Sequence, residues 1–302
     1  MPLNDFIKAI DEIKEIVEPH KTMIVFTGGE PLVRNDLEIC GTKLYERGFP
    51  WGMVSNGLQF SEKRLESLLN AGMRAITISL DGLEDSHNWL RGNKSSFVNA
   101  VKSIALLSSV KGLGFDVVTC VNQKNFAELP KLKSLLLENG VKQWRLFTVF
   151  PIGRAKTYNE LQLPPQQFKQ LFDFISDERK KGDIKINYGC EGFLGNYEGE
   201  VRDNLFFCRA GVNIASVLID GSVSACPNLR ENFVQGNIYT DSFREIWEQK
   251  YSMFRDREWL KTGECGDCEY FRYCEGNGIH LRDEKGNLLF CHLNRIKEGE
   301  II

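Results

Sequence analysis

The stretch FTGGEPL, residues 26–32, follows directly on the apolar run Met23-Ile24-Val25. A strand ending in a double glycine and a glutamate reads as a ligand-binding turn. Glycines let backbone carbonyls approach a bound group closely, and a carboxylate accepts from a cation. Outward from it, Phe6, Ile7, Ile10, Ile13 and Val17 recur at helical spacing, which predicts a helix over 3–18 ahead of the strand TMIVFTGG at 22–29. Downstream the same reading gives a helix at 37–47 stopped by Gly48, the strand WGMVSNG at 51–57, and a helix at 61–72. The strand AITISLDG at 75–82, a helix at 96–112, the strand FDVVTCVN at 115–122, a helix at 127–140 and the strand QWRLFTVF at 143–150 complete the series.

Alternating helices and near-uniformly apolar strands predict an α/β fold with a parallel sheet covered on both faces. The strands end in GGE, SNG, SLDG, CVN and FP, and in such sheets ligands sit at the carboxyl ends. Residues 152–189 read as a polar connector, with Pro164-Pro165 and a helix ending at Gly182. Beyond them ASVLIDGSVSAC, 215–226, reads as a hairpin turning at Asp220-Gly221, and 242–260 as one amphipathic helix capped by Asp241 or Ser242. The expected divisions are therefore 1–151, the connector 152–189, and 190–302.

The chain has 302 residues, 42% hydrophobic and 26% charged, with net charge −3. Mild acidity gives no reason to expect nucleic acid or an anionic membrane as partner. No apolar run approaches the roughly 18–20 residues of a membrane span, and the start lacks the layout of a signal peptide, so the expected location is the cytoplasm. In a reducing compartment the nine cysteines point to metal ligation more than to disulfides. Cys40 and Cys120 read as core packing. Cys265-x2-Cys268-x5-Cys274, followed by Cys291, supplies four thiolates for zinc or an iron–sulfur cluster, and spacing alone does not separate the two. Cys190, Cys208 and Cys226 form a second group of three around the hairpin.

These residues together resemble the radical S-adenosylmethionine (SAM) family: FTGGEPL, VSNG, and SLDG with the downstream Leu90-Arg91-Gly92. The run Cys208…Gly221-x4-Cys226…Cys265-x2-Cys268-x5-Cys274…Cys291, with QGNI at 235–238, resembles the SPASM extension of its peptide-modifying members. The resemblance implies a partial parallel (β/α) barrel lacking its first strand, then a small cysteine-rich SPASM domain, with [4Fe–4S] clusters in place of zinc. It implies that Gly28, Gly29 and Glu30 hold the amino group of SAM. Ser55, Asn56, Ser79, Asp81 and Arg91 would contact its ribose and carboxylate. Ser55-Asn56-Gly57 also reads as a plain strand-ending turn, and Arg91 as a surface residue. A peptide or protein substrate, and a reductant such as flavodoxin or ferredoxin, are the implied partners.

Two departures stand out. The family's CxxxCxxC, whose cluster reduces SAM, occurs nowhere in the chain. The expectation is an N-terminally truncated polypeptide, inactive as it stands, with one complete auxiliary cluster site and one incomplete. The second departure is Gly278, where the family often has a cysteine; Glu275, Asn277 or His280 are alternatives for that fourth ligand. The competing readings are a non-catalytic iron–sulfur or electron-transfer protein and a zinc-stabilised peptide-binding module.

Overall fold

The computed structural model describes residues 1–229, 231–283 and 285–300. Its contacts divide the chain into two compact units. One comprises residues 23–189, 195–205 and 294–302, the other 1–22, 190–194 and 206–293. The N-terminal helix α1 (Leu3–Lys14) thus groups with the cysteine-rich region, and the boundary at 189–190 is crossed by short exchanged segments. The helix stops short of Val17. Glu18 stands before Pro19 and is extended, at φ −81° and ψ 111°, as a residue preceding proline must be.

The larger unit carries six parallel strands among the described residues, in spatial order of sequence. They are β1 (Ile24–Phe26), β2 (Trp51–Ser55), β3 (Met73–Ser79), β4 (Gly114–Val121), β5 (Gln143–Thr148) and β6 (Lys185–Tyr188). Helices α2 (Leu37–Glu46), α3 (Glu62–Asn70), α4 (Glu84–Arg91), α5 (Ser96–Ser108), α6 (Leu129–Glu138) and α7 (Pro165–Lys181) run between them. The register Phe26↔Met53, Ser55↔Ile78, Ser79↔Val118 and Val121↔Thr148 brings all the carboxyl ends to one side. Trp51, Ile78, Val117, Trp144 and Ile186 are fully buried, so the central strands are covered on both faces as their composition predicts. Helix α2 lies so close on Trp51 that a Cβ at Gly41 would come within 2.3 Å of its ring.

Strand β1 stands at the open edge of the sheet, as a barrel lacking its first strand implies: it keeps three residues and one neighbour, and Val25 is 51% exposed. Three other elements differ from the sequence reading. The connector supplies a sixth strand: Ile184, Ile186 and Tyr188 turn inward, while Lys185 is exposed. Helix α4 interrupts what reads as a loop before α5. The helix expected at 242–260 is broken into α8 (Phe243–Glu245), a π turn (Ile246–Lys250), α9 (Ser252–Arg255) and a 3-10 turn (Glu258–Leu260).

In the smaller unit the hairpin forms as read, β7 (Ser216–Val217) against β8 (Ser222–Ser224), with Gly221 at φ +85°. A third strand, β9 (Val234–Asn237), joins it from the QGNI segment. Asp241 does not cap α8; its carboxylate accepts from the Asn237 N–H at 2.9 Å, and Ser242 takes the cap position without a side-chain bond. Tyr251 is fully buried and donates to the Ser224 carbonyl at 2.8 Å, tying the broken helix to the hairpin. No helix among the described residues is long and apolar enough to cross a membrane.

Candidate SAM and thiolate sites

At the carboxyl ends of β1 and β2 the organising group is the Glu30 carboxylate. Its Oε1 accepts from the Leu32 N–H at 3.1 Å and the Ser55 hydroxyl at 2.8 Å, and its Oε2 accepts from the Asn56 N–H at 2.7 Å. Ser55 is buried and accepts in turn from the Gly57 N–H at 3.0 Å, while Asn56 Oδ1 accepts from the Leu58 N–H at 2.9 Å. Ser55-Asn56-Gly57 is therefore a strand-ending turn latched to Glu30. Gly28 sits at φ +113°, and a Cβ on Gly28 or Gly29 would meet nothing within 4 Å. That leaves open backbone beside a carboxylate with one lone-pair position to spare, the acceptor set an ammonium group needs.

At the end of β3 the Asp81 carboxylate is 1% exposed and accepts from three donors. Its Oδ1 accepts from the Cys120 N–H at 2.9 Å, and its Oδ2 from Arg91 Nε at 2.7 Å and Nη2 at 2.6 Å. Asp81 thus ties β3, β4 and the end of α4 together, and Arg91 is held by it with a third of its side chain still exposed. Ser79 is half-buried on β3, beside Val118 of β4.

Sequence reasoning missed His87, which α4 buries at this corner. Its Nδ1 accepts from the Asp81 N–H at 2.9 Å and its Nε2 lies 2.9 Å from Ser96 Oγ, so the neutral ring is the one that fits. Burial lowers its pKa to about 4; Asp81 opposes the shift and Arg91 adds to it. The unfolded chain then binds this proton first, near pH 6.5, and the folded chain only near pH 4. Stability contributed here is whole above pH 6.5 and drains as pH falls through that window, by roughly 3 kcal/mol. His280, lowered to about 4 by burial, acts in the same window. Urea unfolding at pH 7.5 and 5.0 is expected to show the drop, and His87→Gln to reduce it. An equal drop in the variant would place its origin elsewhere.

The second site lies in the other unit. Burial pushes the Cys274 thiol up to about 12, the Asn277 N–H opposes this at 3.2 Å from the sulfur, and Cys291, Cys265 and Cys268 add to the rise. Burial likewise pushes Cys226 up to about 11, with Cys190 and Cys208 adding to it. Cys274 is thus coupled to Cys291, Cys265 and Cys268, and Cys226 to Cys190 and Cys208. No three histidine, cysteine or carboxylate side chains among the described residues gather tightly enough for a single ion. Thiolates around a four-iron cube stand wider apart than those around one zinc. No disulfide joins the cysteines, and Cys40 is buried at a helix face with its thiol raised by burial.

At Gly278 a Cβ would lie 2.7 Å from the Glu191 carbonyl, next to Cys190, and 2.6 Å from the His280 ring. Asn277 is committed: its Oδ1 accepts from the Phe193 N–H at 3.0 Å and its Nδ2 donates to the Phe290 carbonyl. Glu275 faces Arg257 at 3.8 Å. Of the three alternatives to a cysteine at 278, His280 is the one whose ring covers that position.

The radical SAM superfamily model matches residues 1–136, and the SPASM iron–sulfur cluster-binding domain matches 208–269. The chain is a radical SAM protein with a SPASM domain. This radical SAM/SPASM chain is 27% identical to the AdoMet-dependent heme synthase of Methanosarcina barkeri, over 88% of its own length and 79% of the relative's. It is 27% identical to the mycofactocin maturase MftC of Mycolicibacterium smegmatis, over 88% and 69%. Its fold matches Streptococcus suis SuiB bound to S-adenosylmethionine with TM-score 0.71 at 16% identity, covering 93% of this chain and 66% of that one. SuiB bound to its precursor peptide SuiA matches with TM-score 0.71 at 14% identity, over 98% and 69%.

Proposed function

We propose that this chain provides the SAM-holding turn and the auxiliary cluster domain of a radical SAM/SPASM enzyme acting on a peptide or protein. The observation that carries the reading is the open Gly28-Gly29 backbone beside the Glu30 carboxylate, at the carboxyl ends of a parallel sheet. Gly28, Gly29 and Glu30 would hold the SAM amino group, and Ser79 would contact the ribose. Asp81 acts by holding Arg91 for the carboxylate. Cys265, Cys268, Cys274 and Cys291 would hold one auxiliary [4Fe–4S] cluster, and Cys190, Cys208 and Cys226 a second. The donor set suits such a group: Cys274 Sγ accepts from the Asn277 N–H and Cys265 Sγ from Arg282, each at 3.2 Å, as thiolates of a cluster do. In the complete enzyme, SAM together with a reduced CxxxCxxC-bound cluster, which these residues do not supply, would provide the radical chemistry, and this chain would hold and orient the SAM. Flavodoxin or ferredoxin is the class of donor that fits.

Calorimetric titration with SAM tests the turn. Glu30→Gln keeps the shape but removes the charge, and should weaken binding about ten- to a hundredfold, the range of a charge-assisted bond. Unchanged affinity in a folded variant would remove Glu30 from the site. The 302 residues contain no CxxxCxxC, so this polypeptide, reconstituted with iron and sulfide, should not release 5′-deoxyadenosine.

A second reading, porphyrin processing, is favoured by the 27% identity to a heme synthase across most of the chain. Titration with an iron porphyrin, followed by visible absorption, separates the two. No saturable binding is expected, and micromolar binding would favour the second reading.

A further inference from the structure

We propose that Arg282 is the counter-charge that sets the reduction potential of the group held by Cys265, Cys268, Cys274 and Cys291. The inference rests on the cluster assignment above. Arg282 is 3% exposed, with Nη2 at 3.2 Å from Cys265 Sγ and 2.8 Å from the Gly276 carbonyl. Nε reaches the same carbonyl at 3.2 Å, and Nη1 the Gly286 carbonyl at 2.8 Å. Its partners among the described residues are thus two carbonyls and a sulfur, with no carboxylate. The seat is shaped for it. Gly276 is at φ +80°, and a Cβ there would press within 2.9 Å of Nη2.

The carbonyls fix the fork but supply no net charge, and a buried guanidinium without an anion is strongly disfavoured. Four thiolates around an iron–sulfur group are the anion this position faces. One electron enters the cluster from a low-potential donor, and no bond breaks. The reduced state carries one more negative charge. The cation and its N–H···S bond therefore favour reduction and raise the potential.

The experiment uses the 302-residue chain reconstituted anaerobically, with iron counted and dithionite titrations followed by electron paramagnetic resonance. The relevant signal is the one absent from Cys274→Ser. Arg282→Gln should keep its iron but lower the reduced-to-oxidised ratio at a given poise tenfold or more, a shift of about 59 mV to more negative potential. Arg282→Lys, which keeps the charge and loses the fork, should fall between. Full iron with an unmoved midpoint in the Gln variant overturns the proposal. An iron-free parent protein overturns the cluster assignment beneath it instead. Should the Gln variant not fold, the parent protein with 15N-labelled arginine serves. A nitrogen coupling to the reduced cluster that Arg282→Lys lacks is expected, and no such coupling overturns the proposal.

Discussion

Cys274→Ser is expected to lose about half of the chain's iron, since each of the two thiol groups would hold one four-iron cluster. The remaining protein should be less stable by more than about 4 kcal/mol, the range in which loss of a metal site belongs. The segment has little else to hold it. It is built from a 3-10 turn (Gly263–Cys265), a four-residue helix (Phe271–Cys274) and a second 3-10 turn (Ile279–Leu281). Glu275 and Asn277 carry positive φ of 47° and 72°, at roughly 1–2 kcal/mol each. Burial holds the Cys274 thiol at about 12 against the opposing Asn277 N–H, so cluster loading must displace its proton and the metal bond must offset that. Anaerobic iron and sulfide analysis with urea unfolding reads both effects. Undiminished iron in the variant would remove Cys274 from the ligand set.

Asp81→Ala should destabilise the larger unit by about 3 kcal/mol, the lower end for breaking a buried ion pair. The lower end applies because the Arg91 side chain is 32% exposed and can turn to water, whereas the Cys120 N–H loses its acceptor inside the sheet. Asp81→Asn retains an acceptor and should lose less. SAM affinity should fall with stability in the Ala variant, because Arg91 is no longer aimed. A loss below about 1 kcal/mol by urea unfolding, the size of an ordinary net hydrogen bond, would deny Asp81 this bracing role.

The strands β2 to β5 were legible because buried parallel strands leave an unbroken apolar signature, and GGE and SNG because turns of that kind need those residues. Helix α4 was not. Its one buried residue is His87, so there is no apolar stripe to detect, although Glu84 and Asp85 in its first turn and Gly92 at its end mark its limits. Strand β6 is four residues long and follows the charged end of α7, and only the alternation of Ile184, Ile186 and Tyr188 betrays it. The break after Glu245 is invisible to a periodic count, because the π turn changes phase without losing apolar residues. The link from Phe193 to Asn277 could not be read from the chain, since it joins residues 84 positions apart.

Helix α1 has a consequence for the order in which the chain matures. Ala9 and Ile10 are buried, Ala9 in the same core as Phe243 and Ile246, and the Phe243 N–H donates to Glu12 Oε2 at 2.9 Å across 231 positions. During synthesis at about 5–20 residues per second, the helix leaves the ribosome roughly 10–50 s before that partner exists. For that interval its apolar face lacks this partner, and the sheet between the two segments is completed only once β6 (Lys185–Tyr188) has been made. The cysteine-rich unit thus cannot close around its first helix until residues 206–293 have been made, and the larger unit still awaits its own last segment from 294 on.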